Sequence, residues 1–264
     1  MLGGEKPSME IVSLNTVHEP VFWKHVNQDI PHYFFFVFDW KYNRDDTKML
    51  LALERDQIKG IMLVYRQSIV QLRGSHEAAK VLLEHLDLEE VELQAPQDHR
   101  QYILEKYEST WSSELMLMVL HKGEERLLTS HPILKLGASD AELIAAMMKK
   151  ADTEFWSQVT TEQIVEGMNS VDWIGIKVNR ELVSICRTRL AEGIGHVITV
   201  ATHEAHRNKG YATSLVSHAV ESILKKKPTA IIYVLSDNQP AVRVYKKVGF
   251  RPYKTYFFMK GKKR

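Results

Sequence analysis

The sequence predicts an α/β protein made of two consecutive units, and three observations predict it. The order strand, helix, three strands, helix, strand, helix, strand can be read twice along the chain. One polar, glycine-containing stretch, His121-Lys122-Gly123-Glu124-Glu125-Arg126, separates the two passes. The length of 264 residues, with 44% hydrophobic and 26% charged, suits one large domain or two ordinary ones with a core each, and excludes disordered and fibrous classes. The expected bounds are 9–122 and 127–264. No residue-level repeat accompanies the shared order.

In the first half Glu10 to Leu14 reads as a strand, Phe22 to Ile30 as a helix, and Tyr33 to Trp40 as an aromatic run. Met49 to Leu53, Gly60 to Tyr65 and Ser68 to Leu72 are strands punctuated by turn residues. Ser75 caps a helix whose Ala78, Ala79, Leu82, Leu83 and Leu86 repeat at helical spacing. Val91 to Leu93 is a strand, Asp98 to Tyr107 a helix, Glu114 to Leu120 a strand. In the second half Ile133 to Leu136 is a strand, and Ser139 or Asp140 caps a helix through Lys150. Thr161 to Met168 is a second helix. Trp173 to Val178, Leu182 to Leu190 and His196 to Thr202 are strands, and Gly210 to Lys227 is an amphipathic helix. Ala230 to Leu235 is a strand apolar on both faces, Pro240 to Val248 a short helix, and Tyr253 to Met259 the last strand.

Composition closes several routes. A lone cysteine, Cys186, excludes an internal disulfide and the Cys₄ or Cys₂His₂ zinc sites, so no metal is expected. No apolar run reaches the ~18 residues of a membrane span. The first residues lack a charged-then-apolar signal, and Met1 to Ser8 reads as a disordered leader or cloning remnant, so a reducing cytoplasm is the expected setting. Of 35 basic and 33 acidic residues, fourteen and two lie from Ala205 onward, leaving 21 and 31 before it. A basic end on an acidic body points to an anion: nucleic acid, a phosphorylated cofactor, or merely a solvated tail. Nucleic acid is set aside because no recognisable module with interleaved aromatics is present.

The segment that carries chemistry runs from Ile198 to Thr213, with Arg-x-x-Gly-x-Ala at Arg207, Gly210 and Ala212. It is a strand, a short turn and a helix start. A helix N-terminus presents unpaired N–H groups and partial positive charge, Gly210 lets the backbone approach a ligand, and Arg207 and Lys209 add charge. A basic turn that only caps a core helix has the same pattern.

The lines "HVITVATHEAHRNKGYAT" and "SDNQPAVRVYKKVGF" decide between these. They resemble the GCN5-related N-acetyltransferase (GNAT) superfamily, most closely the branch with glycine N-acyltransferase-like proteins, from Ile133 to Met259. The resemblance implies a mixed central sheet flanked by helices, with two tandem GNAT-like domains of which 127–264 is catalytic. It implies acetyl-CoA or another short acyl-CoA as co-substrate, and a small-molecule or peptide amine as acceptor, in a monomer or homodimer. The diphosphate would rest on Arg207, Asn208, Lys209, Gly210, Tyr211 and Ala212, with Thr213 nearby. Val200, Ala201 and Thr202 would hold the pantetheine, and Asn238 and Ala241 would lie along it.

Direct attack of an amine on the thioester needs a proton donor for the departing thiolate. Tyr245 matches the family's frequent general acid, since a phenol and a thiolate are of comparable basicity. It equally continues the apolar stripe of Ala241, Val244 and Val248. His196, eleven residues before Arg207, is either the base or a buried strand histidine, and period-two counting puts it on one face with Ile198, Val200 and Thr202. Glu192 is a second candidate base. The spacing of His203, Glu204 and His206 is wrong for a zinc helix. In the first half, the corresponding junction reads Gln71-Leu72-Arg73-Gly74-Ser75-His76-Glu77-Ala78, without the phosphate turn. That half is expected to be a degenerate GNAT-like domain, or another α/β domain. A catalytically silent protein that binds acyl-CoA or acts as a scaffold is the competing function.

Overall fold

The computed structural model describes residues 9–151 and 156–264, so the leader Met1 to Ser8 lies outside the described residues. The chain divides into two units, Met1–Met116 with Lys254–Arg264, and Leu117–Tyr253. The first contains β1 (Glu10–Ser13), α1 (Glu19–Val26), α2 (Phe34–Tyr42), β2 (Thr47–Glu54), β3 (Gln57–Tyr65), β4 (Ile69–Gly74), α3 (His76–Glu84), β5 (Glu90–Pro96), α4 (Arg100–Lys106) and the start of β6 (Tyr107–His121). After the end of β6, the second contains β7 (Leu134–Leu136), α5 (Ala141–Ala151), α6 (Thr161–Gly167), β8 (Asp172–Val178), β9 (Glu181–Leu190), β10 (Ile194–Thr202), α7 (Tyr211–Leu224), β11 (Thr229–Leu235) and α8 (Gln239–Val248). The last strand, β12 (Arg251–Lys263), starts in the second unit and continues in the first.

The repeated order of elements is present, with two helices after the first strand of each pass. The aromatic run is helix α2, whose Phe34, Phe36, Val37, Phe38 and Trp40 are all buried. A helix apolar on every side reads from sequence like a buried strand, since it lacks the 3.6-residue stripe.

Strand order is β1-β2-β3-β4-β5-β12-β6 in the first unit and β6-β11-β10-β9-β8-β7 in the second. The pairing is mixed in each unit: β4–β5 and β10–β11 are parallel, whereas β3–β4 and β9–β10 are antiparallel. In the first unit α1 and α2 bury Phe22, Val26, Phe36 and Trp40 on Leu51, Ile61 and Leu63, while α3 and α4 bury Ala79, Leu82 and Ile103 on Ala52, Met62 and Leu72. Neighbours such as Leu51 and Ala52 serve opposite faces because a strand alternates. In the second unit α5 and α6 bury Ile144, Met148 and Ile164 on Trp173, Leu182, Ile185 and Ala201. The stripe Leu215, Val216, Ala219, Val220, Ile223 and Leu224 of α7 is buried too. It packs on β9 and β10 from the other side, where a Cβ on Gly195 would collide with Ile223. Each of these leucines and isoleucines contributes roughly 1.5–3 kcal/mol by leaving water.

Both parallel pairs come apart along their length. β4 and β5 stay in register only to Gln71 opposite Gln94, and β10 and β11 only to Val197 opposite Ile232. In the first unit the opening is filled from within. The guanidinium of Arg73, only 1% exposed, donates from Nη1 to the carbonyls of Leu72 (2.9 Å) and Gln94 (3.1 Å), and from Nη2 to the amide oxygens of Gln94 (2.7 Å) and Gln71 (3.3 Å). It also lies 4.1 Å over the Tyr256 ring.

Candidate functional site

In the second unit the gap begins at a bulge. The register of β10 with β9 slips between Val197 and Thr199, so Ile198 is the extra residue. The bulge corrects the face expected for His196. His196 lies opposite Arg189 and Thr199 opposite Arg187, whereas Val200 and Thr202 lie opposite Cys186 and Ser184 on the other face. An inserted residue shifts the period of two, and no local pattern announces it. Beyond Val197 the edge of β10 turned away from β9 is no longer paired with β11, so backbone of Val200, Ala201 and Thr202 borders the gap. Ser184 Oγ donates to the Ala201 carbonyl at 3.0 Å and stands 2.8 Å from Thr202 Oγ1, which stiffens this stretch.

The strand runs into a short helical turn, Glu204–His206, capped by His203 Nδ1, which accepts from the Ala205 N–H at 3.2 Å. Arg207, Asn208, Lys209 and Gly210 follow, all exposed. Asn208 (φ 63°) and Gly210 (φ 82°) are both left-handed, which wraps the chain tightly into α7. Gly210 is the N-cap of α7 and offers no side-chain acceptor, and the first turn holds no acid. The N–H groups of Tyr211, Ala212 and Thr213 therefore face outward without a cap. The matching helix start in the first unit differs at each point: Ser75 Oγ accepts from the Ala78 N–H, and Glu77 places negative charge in the first turn.

Sequence reasoning missed His131. Its Nε2–H donates to the Lys209 carbonyl at 2.9 Å, and its ring meets Tyr211 edge-on at 4.6 Å, so it holds the turn from outside. Nothing in the segment before β7 signals this. Nearby, Leu128 and Ser130 N–H groups donate to Ser217 and Ser214, which explains two buried serines in an apolar helix.

Across the gap, Asn238 caps α8, with Oδ1 accepting from the Ala241 N–H at 3.2 Å. The oxygen of Asn238 and the amide of Ala241 are thereby committed to each other, leaving the Asn238 side-chain N–H₂ for a ligand. Tyr245, on α8, is 6% exposed and packs edge-on against Phe250. Burial pushes its phenol well above 10, and the neighbouring Cys186 adds to this. Cys186 is itself pushed up to about 12 by burial. His196, also 6% exposed, is pushed down to about 3 by burial, then by Arg189 and Arg187. An imidazole so far below its usual value accepts a proton poorly, and this disfavours the expected base role. Among the described residues no three His, Cys, Asp or Glu side chains group as a metal site, and no helix is long and apolar enough to cross a membrane.

Comparison with known proteins finds likeness in sequence and in fold. A family model described as FR47-like protein matches residues 173–259. An N-alpha-acetyltransferase of Saccharolobus solfataricus is 32% identical over 89 residues, 33% of this chain and 49% of the relative, so the match spans about half of that protein's length. A GCN5-related N-acetyltransferase from Sphaerobacter thermophilus superposes with TM-score 0.68 at 13% identity, covering 96% of this chain and 95% of that one. A GNAT-family acetyltransferase from Colwellia psychrerythraea gives 0.60 at 10%, covering 96% and 100%. A tandem GNAT protein from the clavulanic acid biosynthesis pathway gives 0.59 at 12%, covering 97% and 98%. With its bulged strand, parting parallel pair and uncapped glycine turn, the chain has the mixed α/β fold of the GCN5-related N-acetyltransferase superfamily.

Proposed function

We propose that the second unit is an N-acetyltransferase that takes the acetyl group of acetyl-CoA and passes it to an amine in a ternary complex. The single observation that carries this is the uncapped start of α7 at Gly210, joined through Arg207–Lys209 to a strand whose edge is unpaired beyond its bulge. These residues fit the co-substrate. The free N–H groups of Tyr211 to Thr213 and the charges of Arg207 and Lys209 suit a diphosphate. The open edge from Val200 to Thr202 suits the amide-bearing pantetheine arm, which needs backbone partners of the kind a strand edge presents. Acetyl-CoA would supply the activated acyl group, and the chain supplies position and proton transfer.

Tyr245 is assigned as the proton donor to the departing thiolate. Its raised pKa does not argue against this. A raised value keeps the phenol protonated, which is the state a proton donor needs. The first unit is assigned as a GNAT-like domain without a co-substrate site. Arg73 fills its gap and Ser75 caps its helix.

The test is calorimetric titration with acetyl-CoA, followed by thiol release with a panel of amines. Tight binding by the native chain, abolished in Gly210→Glu and weakened in the exposed Arg207→Glu, is expected. Binding that survives both substitutions rules out the turn as the diphosphate site. Binding without thiol release from any amine would leave a silent acyl-CoA binder.

A further inference from the structure

The turn that starts α7 is poorly equipped to hold its own shape. Asn208 (φ 63°) is left-handed without being glycine, and Gly210 (φ 82°) has the most backbone freedom to lose. As N-cap, Gly210 supplies no side-chain acceptor. The Arg207 N–H bonds to the Glu204 carbonyl at 3.1 Å and the Ser214 N–H to the Gly210 carbonyl at 3.0 Å, both within the segment itself. Neither bond fixes the peptide between Lys209 and Gly210.

That peptide is fixed by a residue 78 positions earlier, since His131 Nε2–H donates to the Lys209 carbonyl at 2.9 Å. A peptide unit is planar and trans, so the Gly210 N–H points the opposite way from the Lys209 carbonyl. One hydrogen bond on the carbonyl therefore aims the N–H. This N–H belongs to the group at a helix start that the intrahelical ladder leaves without partners. The same imidazole meets the Tyr211 ring at 4.6 Å, and His206 lies 6.3 Å from that ring. A single side chain thus holds the carbonyl before Gly210 and the ring after it.

His131 is delivered by a segment docked on α7. The Leu128 N–H donates to Ser217 Oγ at 3.0 Å, and the Ser130 N–H to Ser214 Oγ at 3.1 Å. Both serines are fully buried, and a spacing of three puts them on one face of the helix. Leu128 and Ser130 are two apart, the repeat of an extended chain. The segment therefore runs against the direction of α7, from its second turn to its first, and ends with His131 at the glycine. Buried hydroxyls cost stability unless they find partners, and here the partners are the N–H groups of this segment.

We propose that the segment Leu128–His131 is a clasp for the coenzyme turn, and that His131 is a positioning residue that fixes the direction of the Gly210 N–H for the diphosphate of acetyl-CoA. The proposal rests on the transferase reading above and extends its binding machinery to a residue outside Ile198–Thr213. His131 touches no reacting atom; it acts through the Lys209–Gly210 peptide.

The test compares the native full chain with His131→Ala and His131→Gln. The glutamine amide carries its N–H₂ at about the reach of imidazole Nε2 and can remake the bond. Calorimetry with acetyl-CoA is expected to give about 10-fold weaker binding in His131→Ala, the size of one hydrogen bond, and binding within about 2-fold of native in His131→Gln. Amide hydrogen exchange on the coenzyme-free chain is the second readout. In His131→Ala the Ser214 amide, bonded to the Gly210 carbonyl, should exchange roughly 10-fold faster, while the amides of β8 and β9 are unchanged. An affinity loss that glutamine restores, with β8 and β9 unchanged, upholds the proposal. Equal affinity in native and His131→Ala overturns it and leaves the transferase standing. A loss accompanied by faster exchange through β8 and β9 also overturns it, since His131 would then only support the fold. A loss that glutamine does not restore assigns the effect to packing on Tyr211 and overturns the role of the bond. If the native chain does not bind acetyl-CoA, the transferase reading fails and exchange decides alone. Faster exchange at Ser214 in His131→Ala, reversed in His131→Gln, then upholds the clasp, and unchanged exchange overturns it.

Discussion

The burial that makes Tyr245 part of the apolar stripe of α8 also keeps its phenol protonated, so burial alone does not separate a proton donor from a packing residue. Removing only the hydroxyl separates them. Tyr245→Phe should lower kcat by about 10- to 100-fold and leave acetyl-CoA affinity unchanged by calorimetry. Unaltered turnover would make Tyr245 a packing residue. His196 makes stability depend on pH, which a solvated imidazole with an unchanged pKa would not. Its folded value of about 3 lies far below the ordinary 6.5, under the influence of burial, Arg189 and Arg187 on β9, with the Tyr233 ring of β11 alongside. In that window the unfolded chain binds the proton and the folded chain does not. Stability should therefore fall as pH drops from about 6.5 toward 4, at up to about 1.4 kcal/mol per pH unit for this one group. Urea midpoints of native and His196→Asn protein across that range would show it as a shallower slope in the variant. The turn at Arg207, Gly210 and Ala212 was legible as a glycine-containing start of α7 because such a turn is local. The face of His196 was not, because it depends on one inserted residue and on the strand beside it.

At the scale of elements, two helix starts in one chain show what a small change of N-cap does. Ser75 closes α3 with its own hydroxyl, while Gly210 leaves α7 open to solvent. That much could be read from the sequence, since Ser at an N-cap and Gly in a basic turn are local signals. The filling of the first gap could not. It needs Gln71, Arg73 and Gln94, which come together only when β4 and β5 pair. Arg73→Met should destabilise the protein by about 3 kcal/mol in urea denaturation, because the substitution keeps the bulk and orphans the Gln94 carbonyl and two amide oxygens. A loss below about 1 kcal/mol would show that water satisfies them equally well.

For the whole chain, the repeated order of elements gave the two-unit reading, and both passes proved to have the same strands and helices in the same sequence. Residues 254–264, placed with the second domain from sequence, group with the first unit. Their antiparallel register with β5, from Tyr256 opposite Pro96 to Lys262 opposite Glu90, spans a separation in sequence that local patterns do not reach. If only the second gap is open, calorimetry should give one acetyl-CoA per chain. A ratio of two would mean that Arg73 yields its place.

Arg73 therefore has a meaning beyond the stability of one sheet. Its side chain lies in the opening between β4 and β5 and ties carbonyl and amide oxygens of both strands to one group. The brace at this seam is thus part of the polypeptide itself, and its rigidity is present as soon as the strands have paired.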